Sequence, residues 1–183
     1  DNTDVREAAS MLAGVTRIEA EDYDEQAGVN VESCSDIGGG QNVGSTDAGD
    51  YMLYHNIYVE DAGTYQFRLR VASNNTDGGV QGSPDGVSIV TTAAPDGVTA
   101  SIPAPEGVVG TVPFTGDWQT YTDVYLDVPL DAGFQTIRFN ATHEGWNINY
   151  FDIQMEAKAV VTPEGVTKIE AEDFDGQGGD PAM

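Results

Sequence analysis

Glu19 and Glu21 lie two positions apart in the β-type run Arg17–Asp22. Alternation along a strand therefore sends both side chains off one face. Neighbouring carboxylates repel and raise each other's pKa unless a cation sits between them. The chain carries 7 Lys and Arg against 31 Asp and Glu, so a structural Ca2+ is the cation this pair is expected to take. Asp152, near the end of the last predicted strand, would complete the site if the first and last strands are neighbours. Backbone carbonyls of the Asp36–Gln41 loop would supply further hard oxygen ligands. A solvated acidic edge is the alternative reading of the same residues.

A second group of residues suits a neutral, hydroxyl-rich ligand. Trp118 follows the turn residues Gly116 and Asp117 and heads a predicted strand. An indole at a loop edge can stack on the C–H face of a sugar ring, with nearby amides and carboxylates fixing the hydroxyls; a core position is the alternative. Asn147 and Asn149 alternate with Trp146, Ile148 and Tyr150, which predicts one apolar face and one amide face. For Asn149 a structural hydrogen bond is the preferred reading. Catalytic patterns are scarce. His55 and His143 have no Gly-X-Ser-X-Gly partner, and Gly38-Gly-Gly40 lacks the strand–helix context and Lys of a phosphate loop. The many carboxylates include no pair that stands out as a glycosidase dyad.

These residues must be positioned by strands. Helical periodicity is confined to Val5–Ala13, where a short helical turn is expected. Elsewhere short alternating or β-rich runs recur between Gly, Asp, Asn and Pro clusters. The predicted strands are Arg17–Asp22, Tyr51–Val59, Gly63–Ala72, Val87–Val90, Val108–Val112, Gln119–Leu126, Phe134–Ala141 and Asn147–Glu156. Asp61-Ala-Gly63 and Asp131-Ala-Gly133 read as turns, and Asn74–Gly79 and Ser83–Gly86 as loops. Thr91–Gly107, with three prolines and no aromatic residue, reads as an exposed hairpin or loop. The pattern is that of an all-β protein, an antiparallel β-sandwich or jelly roll.

Composition narrows the partners. A net charge of −24 would repel nucleic acid, anionic membranes and sulfated or uronate-rich polymers, leaving neutral ligands or cations. No apolar run approaches the ~20 residues of a membrane span. Cys34 is the single cysteine and forms no internal disulfide. The acidity is spread along the chain, which fits adaptation to a saline habitat.

Gly14-Val-Thr-Arg-Ile-Glu-Ala-Glu-Asp-Tyr-Asp24 recurs almost unchanged as Gly165-Val-Thr-Lys-Ile-Glu-Ala-Glu-Asp-Phe-Asp175. Such self-similarity marks tandem units. The expected organisation is a leader or linker at 1–13, one domain at 14–157, a semi-rigid connector at 158–164 and the truncated start of a sister domain at 165–183. Neighbouring modules of the same polypeptide are thus expected partners, and a secretory leader is expected upstream.

Ile18–Tyr23, Gly38–Gly44, Asp47–Tyr51, Ala62–Tyr65, Gly116–Thr120 and Gly145–Phe151 together resemble, in order, the motifs of carbohydrate-binding module family 6. Members are β-jelly rolls appended to secreted polysaccharide-degrading enzymes; they bind glycans and perform no catalysis. The resemblance implies a cleft among the loops at one end of the sandwich. Trp118 would be its stacking platform, Asn147 its sugar-binding amide and Glu32 a partner of the terminal sugar's hydroxyls. It also matches Glu19, Glu21 and Asp152 to structural metal ligands. Ser45 departs from the family, which places there an aromatic second wall. The implied function is attachment of a parent glycoside hydrolase to a neutral polysaccharide: agarose, which the saline character favours, or a β-glucan or xylan. A structural or adhesive Ca2+-stabilised repeat without glycan binding is the alternative, and a small hydrolase a third.

Overall fold

A computed structural model describes residues 9–11, 14–76, 83–93 and 107–155. The expected connector and second copy lie outside these residues, as do 94–106 of the proline-containing segment. Among the described residues there are twelve strands: β1 Ala9–Met11, β2 Val15–Glu19, β3 Glu25–Ala27, β4 Asn30–Ser33, β5 Gln41–Gly44, β6 Tyr51–Val59, β7 Gly63–Ala72, β8 Ser83–Ala93, β9 Val108–Val112, β10 Thr122–Leu130, β11 Gly133–Ala141 and β12 Asn147–Met155. One sheet runs β1-β6-β11-β8-β9, with β3 also on β6. The other runs β10-β7-β12-β5-β4, with β2 also on β12. Apart from the parallel β1–β6 pair, the ladders are antiparallel. The expected β-sandwich is the fold.

The two Asp-Ala-Gly turns do more than join hairpins. Each carries the chain from one sheet to the other, from β6 to β7 and from β10 to β11. Alternation then points Tyr54 and Phe139 of one sheet at Phe67 and Phe151 of the other. Phe151 stands at the centre, 4.9 Å from Tyr54 and 4.7 Å from Phe139 between ring centroids. Phe67 stacks on it at 6.1 Å. All four rings are fully buried. The one polar atom brought into this cluster, the Tyr54 hydroxyl, donates to the Ala20 carbonyl at 2.7 Å, so its burial leaves no unmade hydrogen bond.

Several expectations are corrected. Residues 9–11 form a strand on the edge of β6, where a helical turn was expected; pairing with an available edge outweighs local periodicity. The first main strand is shifted to Val15–Glu19, because Ala20–Asp22 tightens into a 3-10 turn. Ser83–Gly86 is no loop. It opens β8, and its Pro-Asp-Gly turn chemistry appears as a bulge, the ladder passing from Ser83↔Val112 to Val87↔Gly110. The strand expected from Gln119 begins at Thr122, since Gln119 is held in the preceding turn.

The apolar face expected for Trp146, Ile148 and Tyr150 is also broken. In β12, Ile148 pairs with Val71 and Tyr150 with Arg70, so Asn149 is an extra, bulged residue. Ile148, Phe151 and Ile153 all enter the core, while Tyr150 turns outward beneath the Arg17 guanidinium, 3.5 Å from its ring centroid. Asn149 takes the structural role expected of it, donating to Asp36 Oδ2 at 3.1 Å.

Asp36 sits in the β4–β5 turn and receives two parallel bonds of 2.8 Å from Arg70 Nε and Nη2. The Arg70 hydrogen bonds hold its carboxyl at a pKa of about 2, against burial. A carboxylate whose pKa is depressed in the folded state adds stability above the unfolded pKa and loses it as pH falls through the folded one. From this pair, about 2 kcal/mol should disappear between roughly pH 4 and pH 2. Urea unfolding across that range should show the loss in the wild type, and Asp36→Asn should flatten it.

Candidate functional site

At one end of the sandwich the β5–β6, β9–β10 and β11–β12 connections meet around a cavity of about 560 Å3. Trp118, Asn147, Glu32 and Ser45 all line it, so the four residues read as a ligand site are brought together. They come from positions far apart in the chain, and each is fixed by a separate local device.

Trp118 is held by turn chemistry. Gly116 takes φ +87°, a left-handed conformation that glycine adopts without strain. Asp117 Oδ1 then accepts from the Gln119 amide at 2.8 Å, an Asx-type turn. The indole is 41% exposed. Trp146 also borders the cavity, but its ring is fully buried and its Nε1 donates to the His143 carbonyl. Trp118 is therefore the open aromatic surface among the lining residues.

The polar floor is a shared network. Asn147 Nδ2 donates to Glu32 Oε1 at 2.7 Å and to the Trp118 carbonyl at 2.9 Å. Glu32 Oε1 accepts a second bond from Asn42 Nδ2 at 3.0 Å, and Gln119 Nε2 donates to Asn42 Oδ1 at 3.1 Å. The two bonds that reach the carboxylate, from Asn147 and Asn42, both fall on Oε1. Glu32 Oε2 and Asn147 Oδ1 accept no hydrogen bond from the described residues and remain available as acceptors. Such an arrangement orients hydroxyl donors beside an aromatic face.

Gly44 makes the network fit. A Cβ there would lie 2.5 Å from Glu32 Oε1 and 2.6 Å from Asn147 Oδ1. Immediately after it, Ser45 is exposed with φ +56°, where an aromatic wall was expected from the resemblance. The small side chain leaves the cavity walled by a ring on one side only. Opposite, Thr46 Oγ1 donates to the Trp146 carbonyl at 2.8 Å and accepts from its amide at 2.9 Å, which ties the β5–β6 loop to the start of β12.

Sequence reasoning missed Thr46, Asp47, Asn75, Gln119 and Glu144, which complete the lining. Gln119 adjoins Trp118 and was within reach of the argument. Asn75 enters through a contact between loops, its Nδ2 donating to the Glu144 carbonyl at 3.1 Å, for which the sequence carries no local signal.

The expected metal residues do not all converge. The β2–β12 register sets Asp152 opposite Arg17, and Tyr150 opposite Glu19. Asp152 Oδ1 accepts from Arg17 Nε at 2.8 Å, and Oδ2 accepts from Arg68 Nη2. Burial pushes the Asp152 carboxyl up, but the bonds from the two arginines outweigh it and hold the group below the usual carboxylate range. With both oxygens so engaged, Asp152 does not fit as the third ligand. Among the described residues no cluster of three or more His, Cys, Asp or Glu is placed to hold a metal. Glu21 is different: its Oε2 is buried without a hydrogen-bond partner. Burial, then the nearby Glu19 and Asp22 carboxylates, push its pKa up, although its own amide and that of Gln41 oppose this. Glu19 is likewise raised, chiefly by burial. Glu19 and Glu21 thus fit a hard cation; Asp152 does not.

A two-sheet sandwich with a loop-end cleft, one open indole and converging amide and carboxylate acceptors defines a lectin-like binding module. The chain belongs to carbohydrate-binding module family 6: the family model, described as carbohydrate binding module (family 6), matches residues 19–155. It is 33% identical to a family 6 module from Cellvibrio mixtus lichenase 5A, solved in complex with cellotriose, covering 78% of this chain and 98% of that one with a TM-score of 0.63. It is 27% identical to a β-1,3-glucan binding family 6 module from Bacillus halodurans, covering 76% and 95% of the two chains with a TM-score of 0.61. It is also 32% identical over 136 residues to the clotting factor G alpha subunit of Tachypleus tridentatus, covering 74% of this chain and 18% of that protein.

Gly44→Ala tests the network without touching the aromatic platform. The added methyl must displace the Glu32 carboxylate or the Asn147 amide, and saccharide affinity should fall about tenfold, the equivalent of ~1.4 kcal/mol. Calorimetric titration with a bound oligosaccharide, paired with a thermal melt to check folding, measures it.

Proposed function

We propose that this domain binds a neutral β-linked glucan and catalyses no reaction on it, attaching a larger secreted polysaccharide-degrading protein to its polymer. One observation carries the reading: the exposed face of Trp118 shares a cleft with two unengaged acceptors, Glu32 Oε2 and Asn147 Oδ1. A sugar ring stacks its C–H face on the indole and donates hydroxyls to those oxygens. The net charge of −24 selects against anionic polymers. The cellotriose and β-1,3-glucan named for two similar structures support a β-glucan ahead of agarose or xylan.

Isothermal titration of the full chain with laminari-, cello-, xylo- and agaro-oligosaccharides tests this. Binding to a β-glucan series is expected, with Kd on the order of micromolar to millimolar, and tandem copies would add avidity on a polymer. Trp118→Ala should weaken it at least about tenfold, or ~1.4 kcal/mol. An unchanged affinity in that variant rejects the cleft, and preference for agarose or xylan moves the ligand class.

We also propose that Glu19 and Glu21 hold a structural Ca2+. The cation supplies the positive charge that the buried, unpaired Glu21 Oε2 lacks. A ligand present at 100 times its Kd stabilises a fold by about 2.7 kcal/mol. Melting temperature should therefore rise in Ca2+ relative to EDTA, and Glu21→Gln should abolish the increment. Ca2+-dependent stability with no binding to any of the oligosaccharides would favour the structural-repeat alternative, which the missing wall at Ser45 already suggests.

A further inference from the structure

The amides beneath the loop-end cleft form a hydrogen-bond relay that runs in one direction. It starts at a backbone N–H, which can only donate: Ser35 N gives its hydrogen to Gln119 Oε1 at 2.8 Å. It ends at the Glu32 carboxylate, which can only accept. Two side-chain amides lie between these fixed ends. With its oxygen turned to Ser35, Gln119 presents Nε2 to Asn42 Oδ1, 3.1 Å away. Asn42 then presents Nδ2 to Glu32 Oε1 at 3.0 Å. Flipping either amide would set donor against donor and oxygen against oxygen. Asn42 is fully buried, so water does not replace a lost partner there. The starting donor is anchored in the β4–β5 turn. Its neighbour Cys34 donates through the backbone to the Gly40 carbonyl at 3.1 Å, and Asp36 on the other side is held by Arg70.

This relay decides what the floor of the cleft offers a ligand. Asn147 gives the two hydrogens of Nδ2 to Glu32 Oε1 and the Trp118 carbonyl. Glu32 Oε1 is therefore filled twice, and Glu32 Oε2 and Asn147 Oδ1 are left, acceptors both. The two side chains meet over Gly44, where one point, that of an added Cβ, lies 2.5 Å from Glu32 Oε1 and 2.6 Å from Asn147 Oδ1. Acceptors so close together suit neighbouring hydroxyls of a single ring. We propose that the cleft selects its saccharide by hydroxyl donors, requiring two neighbouring free hydroxyls on the ring that stacks on Trp118, and that Gln119 is the positioning residue that enforces this. The inference rests on the loop-end cleft being the saccharide site. A sugar oxygen closed into an ether bridge, or carrying an alkyl or acyl group, would face these acceptors with no hydrogen to give. An acceptor left unpaired in this way costs more than the missing bond alone.

Calorimetric titration of the full chain with methyl β-cellobioside and methyl β-laminaribioside tests the selection. Each hydroxyl is replaced in turn by fluorine, which has nearly the size of a hydroxyl and cannot donate. Fluorination at two neighbouring positions of one ring should weaken binding at least about tenfold, as expected for losing a hydrogen bond to a charged or buried acceptor, and other positions far less. This series needs no variant. Gln119→Glu keeps the side chain's length and its bond from Ser35 but turns an oxygen on Asn42, which must then offer its own oxygen to Glu32. Gln119→Met keeps the bulk and imposes no polarity. Affinity for the parent glycosides should fall in the order wild type, Gln119→Met, Gln119→Glu, with the Asn42 side-chain amide signals in NMR displaced most in the last. A packing role alone gives the reverse order, since Met loses more bonds. If every fluorinated derivative binds like its parent, the donor requirement is overturned. If Gln119→Glu binds no more weakly than Gln119→Met, the role of Gln119 is overturned. In either case a loss of binding in Trp118→Ala leaves the loop-end reading standing. Binding unchanged by Trp118→Ala, or no binding by the wild type, overturns that reading and the selection with it.

Discussion

The extra residue in β12 governs what this domain can present to its surroundings. With strict alternation, Asn147 would share a face with Phe151 and Ile153. The bulge at Asn149 resets the phase, so that Ile148, Phe151 and Ile153 all enter the core while Asn147 reaches the cleft and Tyr150 and Asp152 face outward. Phe151 can then sit at the centre of the aromatic cluster, and Asn147 can clamp Trp118 to Glu32. The bulged side chain is itself put to use, joining Arg70 on Asp36. One inserted residue thereby links core, cleft and outer face.

Charge is handled by the same economy of placement. The basic side chains of the described region are few and all engaged: Arg17 and Arg68 on Asp152, Arg70 on Asp36 and Asp123, and Arg138 on Asn140 and over the Tyr51 ring. Arg17, Arg68 and Arg70 fix outward carboxylates to the second sheet, Arg138 stays on the first, and none of the four lines the loop-end cleft. That cleft is instead bordered by Glu32, Asp47 and Glu144. A ligand there must make its contacts through hydroxyls and ring faces, which agrees with the family to which the chain belongs.

Most long strands were legible because alternation over nine or ten residues is hard to mistake; β6 and β7 have the boundaries read from sequence, as does the shorter β9, whereas β8, the longest, was read only at Val87–Val90, with its flanks at Ser83–Gly86 and from Thr91 taken as loop. The short strands β1, β3, β4 and β5 were not. Three or four residues are too few to show a period, and β3 and β4 are exposed throughout. The bulges were invisible for the related reason that they are properties of pairing between strands. Trp118 and Asn147 could be singled out from the types of residue around them. Glu32 and Ser45 needed the family resemblance, because nothing in their own neighbourhoods points to a ligand. Asp152 misled because a carboxylate's role depends on its cross-strand partner, and register, which the sequence does not state, gave it two arginines.

Ser45 has a consequence beyond affinity. A sugar gripped between two rings is shielded above and below, so substituents on either face clash. With a serine in left-handed backbone at that corner, the face turned away from Trp118 stays open to water. For the saccharide ligand proposed above, a branch or substituent on that open face would then meet solvent where a second ring would have met it.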